Sequence, residues 1–204
     1  MRGKFLVLDG PDGSGKSTVA AGIVERYKNE NKELISVREP GGTKLGEALR
    51  HQLLNGDNPP TAKAETLLFA AARAQLVEEV IMPALNEGKD VLCDRFVLSS
   101  LAYQGVGRDL GVDSVANINA FATGGLYPDL TIYLRLDPKV GLSRRSKTGA
   151  FDRIEDEGTK FHLKVGNAYD EITKLYPEHN IITIDGALPK GEVMAKVFEA
   201  IEDL

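Results

Sequence analysis

At 204 residues the chain is long enough to bury one sizeable core and too short for several domains. Hydrophobic residues make up 42% and charged residues 27%, the balance of an ordinary globule, which excludes a fibrous or disordered chain. The net charge of -5 speaks against a nucleic-acid polymer as partner, so a bound nucleotide has to be held by local basic residues. The single cysteine, Cys93, sits in an apolar run and reads as a buried inert thiol. It can make no intrachain disulfide, which fits a reducing compartment. The first apolar run is too short for a signal-peptide core and no run could span a bilayer, so the expectation is a cytoplasmic protein without membrane contact.

In chain order, Phe5-Leu6-Val7-Leu8 reads as a buried strand that Asp9 ends. Gly10-Pro11-Asp12-Gly13-Ser14-Gly15-Lys16-Ser17 follows and fits G-x-x-x-x-G-K-[ST], a phosphate-binding P-loop. Its glycines let successive N–H groups point into one hollow, and the helix that starts there adds partial positive charge. Lys16 reaches outer phosphates, and the Ser17 hydroxyl can ligate Mg²⁺. Apolar residues at Val19, Ala20, Ile23, Val24 and Tyr27 have helical spacing.

Five apolar runs, 4–9, 34–38, 90–94, 130–136 and 181–185, read as buried strands separated by helical patterns. The alternation predicts an α/β chain, a three-layer P-loop NTPase fold. Its five-stranded parallel sheet has helices on both faces. Ligands of such sheets sit at the carboxyl ends of the strands, and the runs end in Asp9, Arg38, Asp94-Arg95, Asp137 and Asp185. Residues 1–204 read as a single domain with a lid over about 143–156.

A long helix is expected from about Ala62 to Asn86. Within it Phe69 and Arg73 lie four apart and share a face. They are either a core ring beside a surface charge or a base-binding pair, since base–aromatic stacking can be worth ~1–3 kcal/mol. The same helix carries apolar Ala70, Ala74, Val77 and Met82 on a further face. That face needs cover, from a second copy in a two-fold dimer or from the short helix near 99–105.

Asp94, directly after the third strand, is placed either to hold Mg²⁺ through water or to orient a basic group. Arg95 has the fork that suits phosphate, or forms a structural ion pair. Ser99 and Tyr103 share one helix face, and Ser100 and Gln104 another, as polar walls near Arg95. Arg144, Arg145, Lys147 and Arg153 form a basic patch, either a solvated face or a lid that closes over phosphates.

With these residues in place the chain resembles bacterial thymidylate (dTMP) kinases. The likeness rests on Gly10 to Thr18, Arg38-Glu39-Pro40-Gly41-Gly42-Thr43, Phe69 with Arg73, and Asp94-Arg95-Phe96 continuing to Gly105. Tyr127 to Leu134 and Asp152-Arg153-Ile154-Glu155 extend it. Only the last forty or so residues lack a sharp motif. The resemblance implies that Gly10, Pro11, Asp12, Gly13, Ser14, Gly15, Lys16, Ser17 and Thr18 hold ATP phosphates. It implies that Phe69 stacks on thymine and that Arg73, Ser100 and Gln104 meet its polar edge. Arg95 and Arg50 would meet the acceptor phosphate, and Glu39 would belong to the acceptor side. Tyr103 would fill the space of a sugar 2′-hydroxyl, with Asp12 near the sugar and phosphate. Asp185 to Leu188 would border the ATP base.

Two departures stand out. Asp12 is Glu in many relatives, and Phe96 replaces a Tyr or His. Some relatives also carry a catalytic Arg within the loop where this chain has Gly13. The resemblance then gives that charge to the lid, with Arg153 the first candidate and Arg145 the next. The implied enzyme is an ATP:dTMP phosphotransferase that uses Mg²⁺ and forms a homodimer. A P-loop switch protein is the rival of another class, but no Asn-Lys-x-Asp motif is present.

Overall fold

The computed structural model describes residues 1–145 and 152–204, with Arg145 as backbone only. Lys147 and Gly149 of the expected lid, and the Arg145 side chain, lie outside the described residues. Five strands form one all-parallel sheet: β1 (Phe5–Asp9), β2 (Leu34–Arg38), β3 (Asp90–Asp94), β4 (Leu130–Arg135) and β5 (Ile181–Asp185), in the order β2-β3-β1-β4-β5. The central strand β1 is buried along its whole length, and the edge strands β2 and β5 are partly exposed. That is why the sequence shows β1 as an unbroken apolar run.

The sheet divides two cores by strand alternation, since neighbouring side chains point to opposite faces. Phe5, Val7, Val91, Cys93 and Tyr133 face one core. α2 (Lys44–Asn55), α3 (Ala62–Leu76), α5 (Val97–Ser100), α6 (Val112–Thr123) and α8 (Thr159–Leu175) cover it. Leu6, Leu8, Leu92, Ile132 and Leu134 face the other, under α1 (Lys16–Asn29) and α9 (Lys190–Glu202). Cys93 is fully buried, and its thiol pKa is pushed up by burial. It is an inert core group.

The long helix runs through 62–86 as expected, but not as one α-helix. α3 gives way to a π-helical turn, Val77–Ile81, before α4 (Met82–Asn86). Ala70 and Val77, expected on a face needing cover, are buried inside the chain. Leu67 on α3 and Phe121 on the neighbouring α6 stay outside, 57% and 92% exposed. A second π-helical segment, Leu101–Gly107, continues α5. α7 (Pro138–Arg145) follows β4, and a short 3-10 turn, Pro177–His179, precedes β5. Among the described residues no helix is long and apolar enough to cross a membrane.

Candidate active site

Strand β1 delivers the loop Gly10–Gly15 to the start of α1, over a cleft of about 510 Å³. Gly15 has φ 100° and Gly13 φ 76°, the left-handed region that favours glycine. A Cβ on Gly15 would meet nothing within 4 Å, so space lies open on the cleft side of the loop. A Cβ on Gly13 would come within 2.4 Å of the Gly141 carbonyl oxygen. α7 therefore packs directly on the loop, and a side chain at position 13 has no room.

Lys16 donates to the carbonyls of Gly10 and Pro11, at 3.0 Å each. Burial, then the Arg95 charge, pulls its ammonium down to about 8. Ser17 and Thr18 line the cleft. Two buried oxygens, Ser14 Oγ and Asp94 Oδ1, have no hydrogen-bond partner among the described residues. Arg144 of α7 donates to Gly13 O (3.3 Å) and Gly186 O (3.1 Å), bringing a guanidinium and the turn after β5 together over the loop.

The opposite wall is closely bonded. Arg95 has φ 69°, an uncommon conformation for a non-glycine residue, held by its N–H on Leu8 O at 2.8 Å. Its guanidinium pairs with Asp12 and donates to Gly10 O (3.1 Å) and Ser99 Oγ (3.0 Å). Tyr103 donates to Asp12 at 3.0 Å. Burial alone would raise the Asp12 pKa, but Arg95, Lys16 and the Tyr103 hydroxyl hold it down at about 2. Ser99 is fixed in turn by Asp9, which accepts from the Ser99 hydroxyl (2.7 Å) and from Tyr169 (2.8 Å).

Arg73 is 1% exposed and commits every N–H direction to protein. Nε and Nη2 bind Glu39, Nη1 binds Ser100 Oγ (3.0 Å) and Asn119, and Nη2 also binds Phe96 O (2.9 Å). Its guanidinium stands 5.2 Å from the Phe96 ring centroid. Phe69 shows both properties that its spacing left open, since it packs against the core and lines the cleft. Arg50, Glu39, Ser99, Ser100, Tyr103 and Gln104 also line it, and Arg50 donates to Pro40 O at 3.0 Å.

Arg153 is not part of the cleft lining, and neither are Gly10, Pro11 and Ser14 of the loop. Arg153 donates to Leu53 O (2.9 Å) and Glu65 (2.6 Å), tying this end of the expected lid to α2 and α3. Asp152, Ile154 and Glu155 beside it do line the cleft. Sequence reasoning missed Asn119, Glu65 and Tyr169. Asn119 had only a weak signal, one of two amides, with Asn117, in the otherwise apolar Val115–Ala122 stretch.

Parallel strands that carry their polar ends to one edge, beside a loop of this kind, define the α/β P-loop kinase-like class. A family model described as Thymidylate kinase matches residues 8–197. A Thymidylate kinase of Lactobacillus helveticus is 48% identical, with 99% of this chain and 97% of that protein covered. One from Finegoldia magna is 46% identical over 97% of each. One from Caldanaerobacter subterraneus subsp. tengcongensis is 44% identical over 100% of this chain and 97% of its own length. The chain belongs to the thymidylate kinase family.

Proposed function

We propose that this chain transfers the γ-phosphoryl group of ATP in line to dTMP, giving dTDP for dTTP synthesis. The observation that carries this reading is a single cleft. Its loop side is lined by Gly13, Gly15, Lys16 and Ser17, and its far side by Phe69, Arg73, Arg95 and Gln104. Gly10 to Thr18 would hold ATP phosphates, with Asp185 to Leu188 near the ATP base. Phe69 would stack on thymine, and Ser100 and Gln104 would face its polar edge. Arg73, whose N–H groups are committed, would act there chiefly by holding Ser100 and Glu39. Arg50 and Arg95 would bind the acceptor phosphate. Tyr103, with Asp12, would exclude a ribose 2′-hydroxyl.

The donor set fits Mg²⁺. Ser17 offers a hydroxyl in the cleft, and Asp94 Oδ1 is a buried oxygen without a hydrogen-bond partner among the described residues. Mg²⁺ keeps waters and phosphate oxygens around it and needs few protein ligands. Bound there, it would supply charge neutralisation to the phosphates. Lys16 and a lid arginine would share that work. Arg144 is favoured over Arg153, because Arg144 already stands on the loop carbonyl of Gly13 while Arg153 is engaged by Glu65. No general base is needed, because the acceptor phosphate is already anionic near neutral pH.

A coupled ADP-release assay with ATP and a panel of deoxynucleoside and ribonucleoside monophosphates tests the reading. The expected result is fastest turnover with dTMP, weaker discrimination against dUMP than against the ribose form, and dependence on Mg²⁺. One methyl supplies only ~1–3 kcal/mol in a shaped pocket, hence the weaker arm against dUMP. Turnover with a purine monophosphate above that with dTMP rejects the assignment. We also propose a cytoplasmic homodimer without membrane or nucleic-acid-polymer partners. It would form through the α3/α6 face that bears Leu67 and Phe121. Sedimentation showing only a 22.1 kDa species at micromolar protein rejects the dimer.

A further inference from the structure

Glu65 lies one turn before Phe69 on α3 and is 1% exposed. No sequence motif points to it. It nevertheless accepts four hydrogen bonds from three side chains among the described residues. Oε1 accepts from Gln104 Nε2 (2.9 Å) and Arg108 Nε (3.2 Å), and Oε2 from Arg108 Nη2 (3.1 Å) and Arg153 Nη2 (2.6 Å). Arg108 also pairs with Glu157 at 2.5 Å. Burial works to raise the Glu65 pKa, but the hydrogen bonds from Gln104, Arg108 and Arg153 outweigh it and keep the group ionised.

An ionised carboxylate accepts hydrogen bonds and donates none. A Gln amide has one donating and one accepting end, and its partners alone decide which way it faces. Facing Glu65, Gln104 must turn its NH₂ inward. Its carbonyl oxygen is then the end left for the cleft that Gln104 lines. Two guanidinium groups hold the carboxylate in place, so the amide cannot exchange ends without setting a carbonyl oxygen against a carboxylate.

We propose that Glu65 is a positioning residue that fixes Gln104 as an acceptor toward the cleft, so that the site takes a pyrimidine with an N3–H and refuses one whose N3 is itself an acceptor. The inference rests on the dTMP reading above and deepens it, from a base stacked on Phe69 to a keto pyrimidine chosen over an amino pyrimidine. Sites built to hydrogen-bond a substrate group can discriminate by ~10⁴–10⁵, because a mismatch leaves buried polar groups unpaired.

The test is the ratio of kcat/KM for dTMP to that for dCMP, taken on one preparation so that the folded fraction cancels. The parent is expected to favour dTMP by about 10³ or more. Glu65→Gln presents an amide that can face either way, so Gln104 is free to turn, and the ratio should fall at least tenfold. Glu65→Asp keeps an acceptor-only group; it should raise the KM for dTMP and keep the ratio within a few-fold. A role in packing alone would lower both activities together in both variants and leave the ratio unchanged. An unchanged ratio in Glu65→Gln overturns the proposal, as does a ratio lost in Glu65→Asp. If Glu65→Gln yields no folded protein, the near-isosteric Glu65→Met, which also removes the acceptor facing Gln104, decides by the same criterion: a ratio at least tenfold lower supports the proposal and an unchanged ratio overturns it. A parent that uses dTMP and dCMP alike sinks this inference and spares the kinase reading; a parent inactive on every pyrimidine monophosphate sinks both.

Discussion

On the acceptor wall, Arg73, Arg95, Glu39, Asp12 and Ser99 are bonded to one another and to backbone before any ligand enters. On the phosphate loop the opposite holds. Among the described residues Ser14 Oγ, and Asp94 Oδ1 at the neighbouring end of β3, have no hydrogen-bond partner, and Lys16 and Arg144 rest on main-chain carbonyls that a phosphate oxygen would outcompete as acceptor. The acceptor wall thus carries its organisation in the fold. The loop holds charge that only a ligand can satisfy. Variants on the wall should therefore register in stability and KM, and variants on the loop in kcat and nucleotide affinity.

The largest effect is expected at Arg144. Arginines that meet a transferring phosphoryl group are worth ~10³–10⁵ in kcat, so Arg144→Ala should cost at least about 10³ with the dTMP KM nearly unchanged. Arg153→Ala should cost less than about tenfold in steady-state kcat. The reverse order would return the chemistry to Arg153, where the Asp152-Arg153-Ile154-Glu155 motif first suggested it.

Next is Arg73→Ala, which leaves Glu39 buried without its partner and should lower stability by about 3–5 kcal/mol. The dTMP KM should also rise. Lys16→Met should leave the unfolding free energy from urea titration within about 1 kcal/mol of the parent, since burying that ammonium already disfavours the folded state. Equal destabilisation by the two variants would erase the contrast between wall and loop.

Acid unfolding isolates Asp12. Its pKa falls from 3.8 to about 2 on folding, so its contribution is full above pH ~4 and is lost as pH drops through about 2. Roughly 2 kcal/mol is at stake. Asp12→Asn should remove that part of the acid transition, and an unaltered pH–stability curve would separate Asp12 from Arg95.

The smallest effect concerns Lys16. With its pKa depressed to about 8, the free enzyme gives up this proton as pH rises from 7 to 9. Phosphate binding restores the charge, so ATP binding takes up a proton and weakens about tenfold over that interval. ATP titrations in two buffers of different ionisation enthalpy measure the uptake; none at pH 8.5 would contradict the assignment.

The sheet and the loop were legible because central parallel strands are short apolar runs and the loop signature is contiguous. Expected strands 4–9 and 130–136 became Phe5–Asp9 and Leu130–Arg135. The wall was legible only as a set of residues. Spacing put Phe69 and Arg73 on one face. It could not show that Glu39 and Asn119, far along the chain in opposite directions, would take up the Arg73 guanidinium. The Arg153 contact with Glu65 was hidden for the same reason, since its neighbours read alike whether it meets a phosphate or Glu65. Asp9 looked like the end of a strand. Its burial under Ser99 and Tyr169 depends on α8, some 160 residues later.

The π-helical segment Leu101–Gly107 contains both Tyr103 and Gln104, and Arg108 N–H reaches back to Tyr103 O across five residues. Such a segment amounts to one residue more than an α-helix of the same span would hold. Deleting Val106 would let the segment relax into regular α-helix, with more regular hydrogen bonds. The bulge made by the extra residue would close, and the side chains within it, Gln104 among them, would turn relative to Glu65 on α3. In design terms, the most idealised version of this helix is the one that loses the pocket. A sequence optimised for helical regularity alone would fold well and bind the pyrimidine badly.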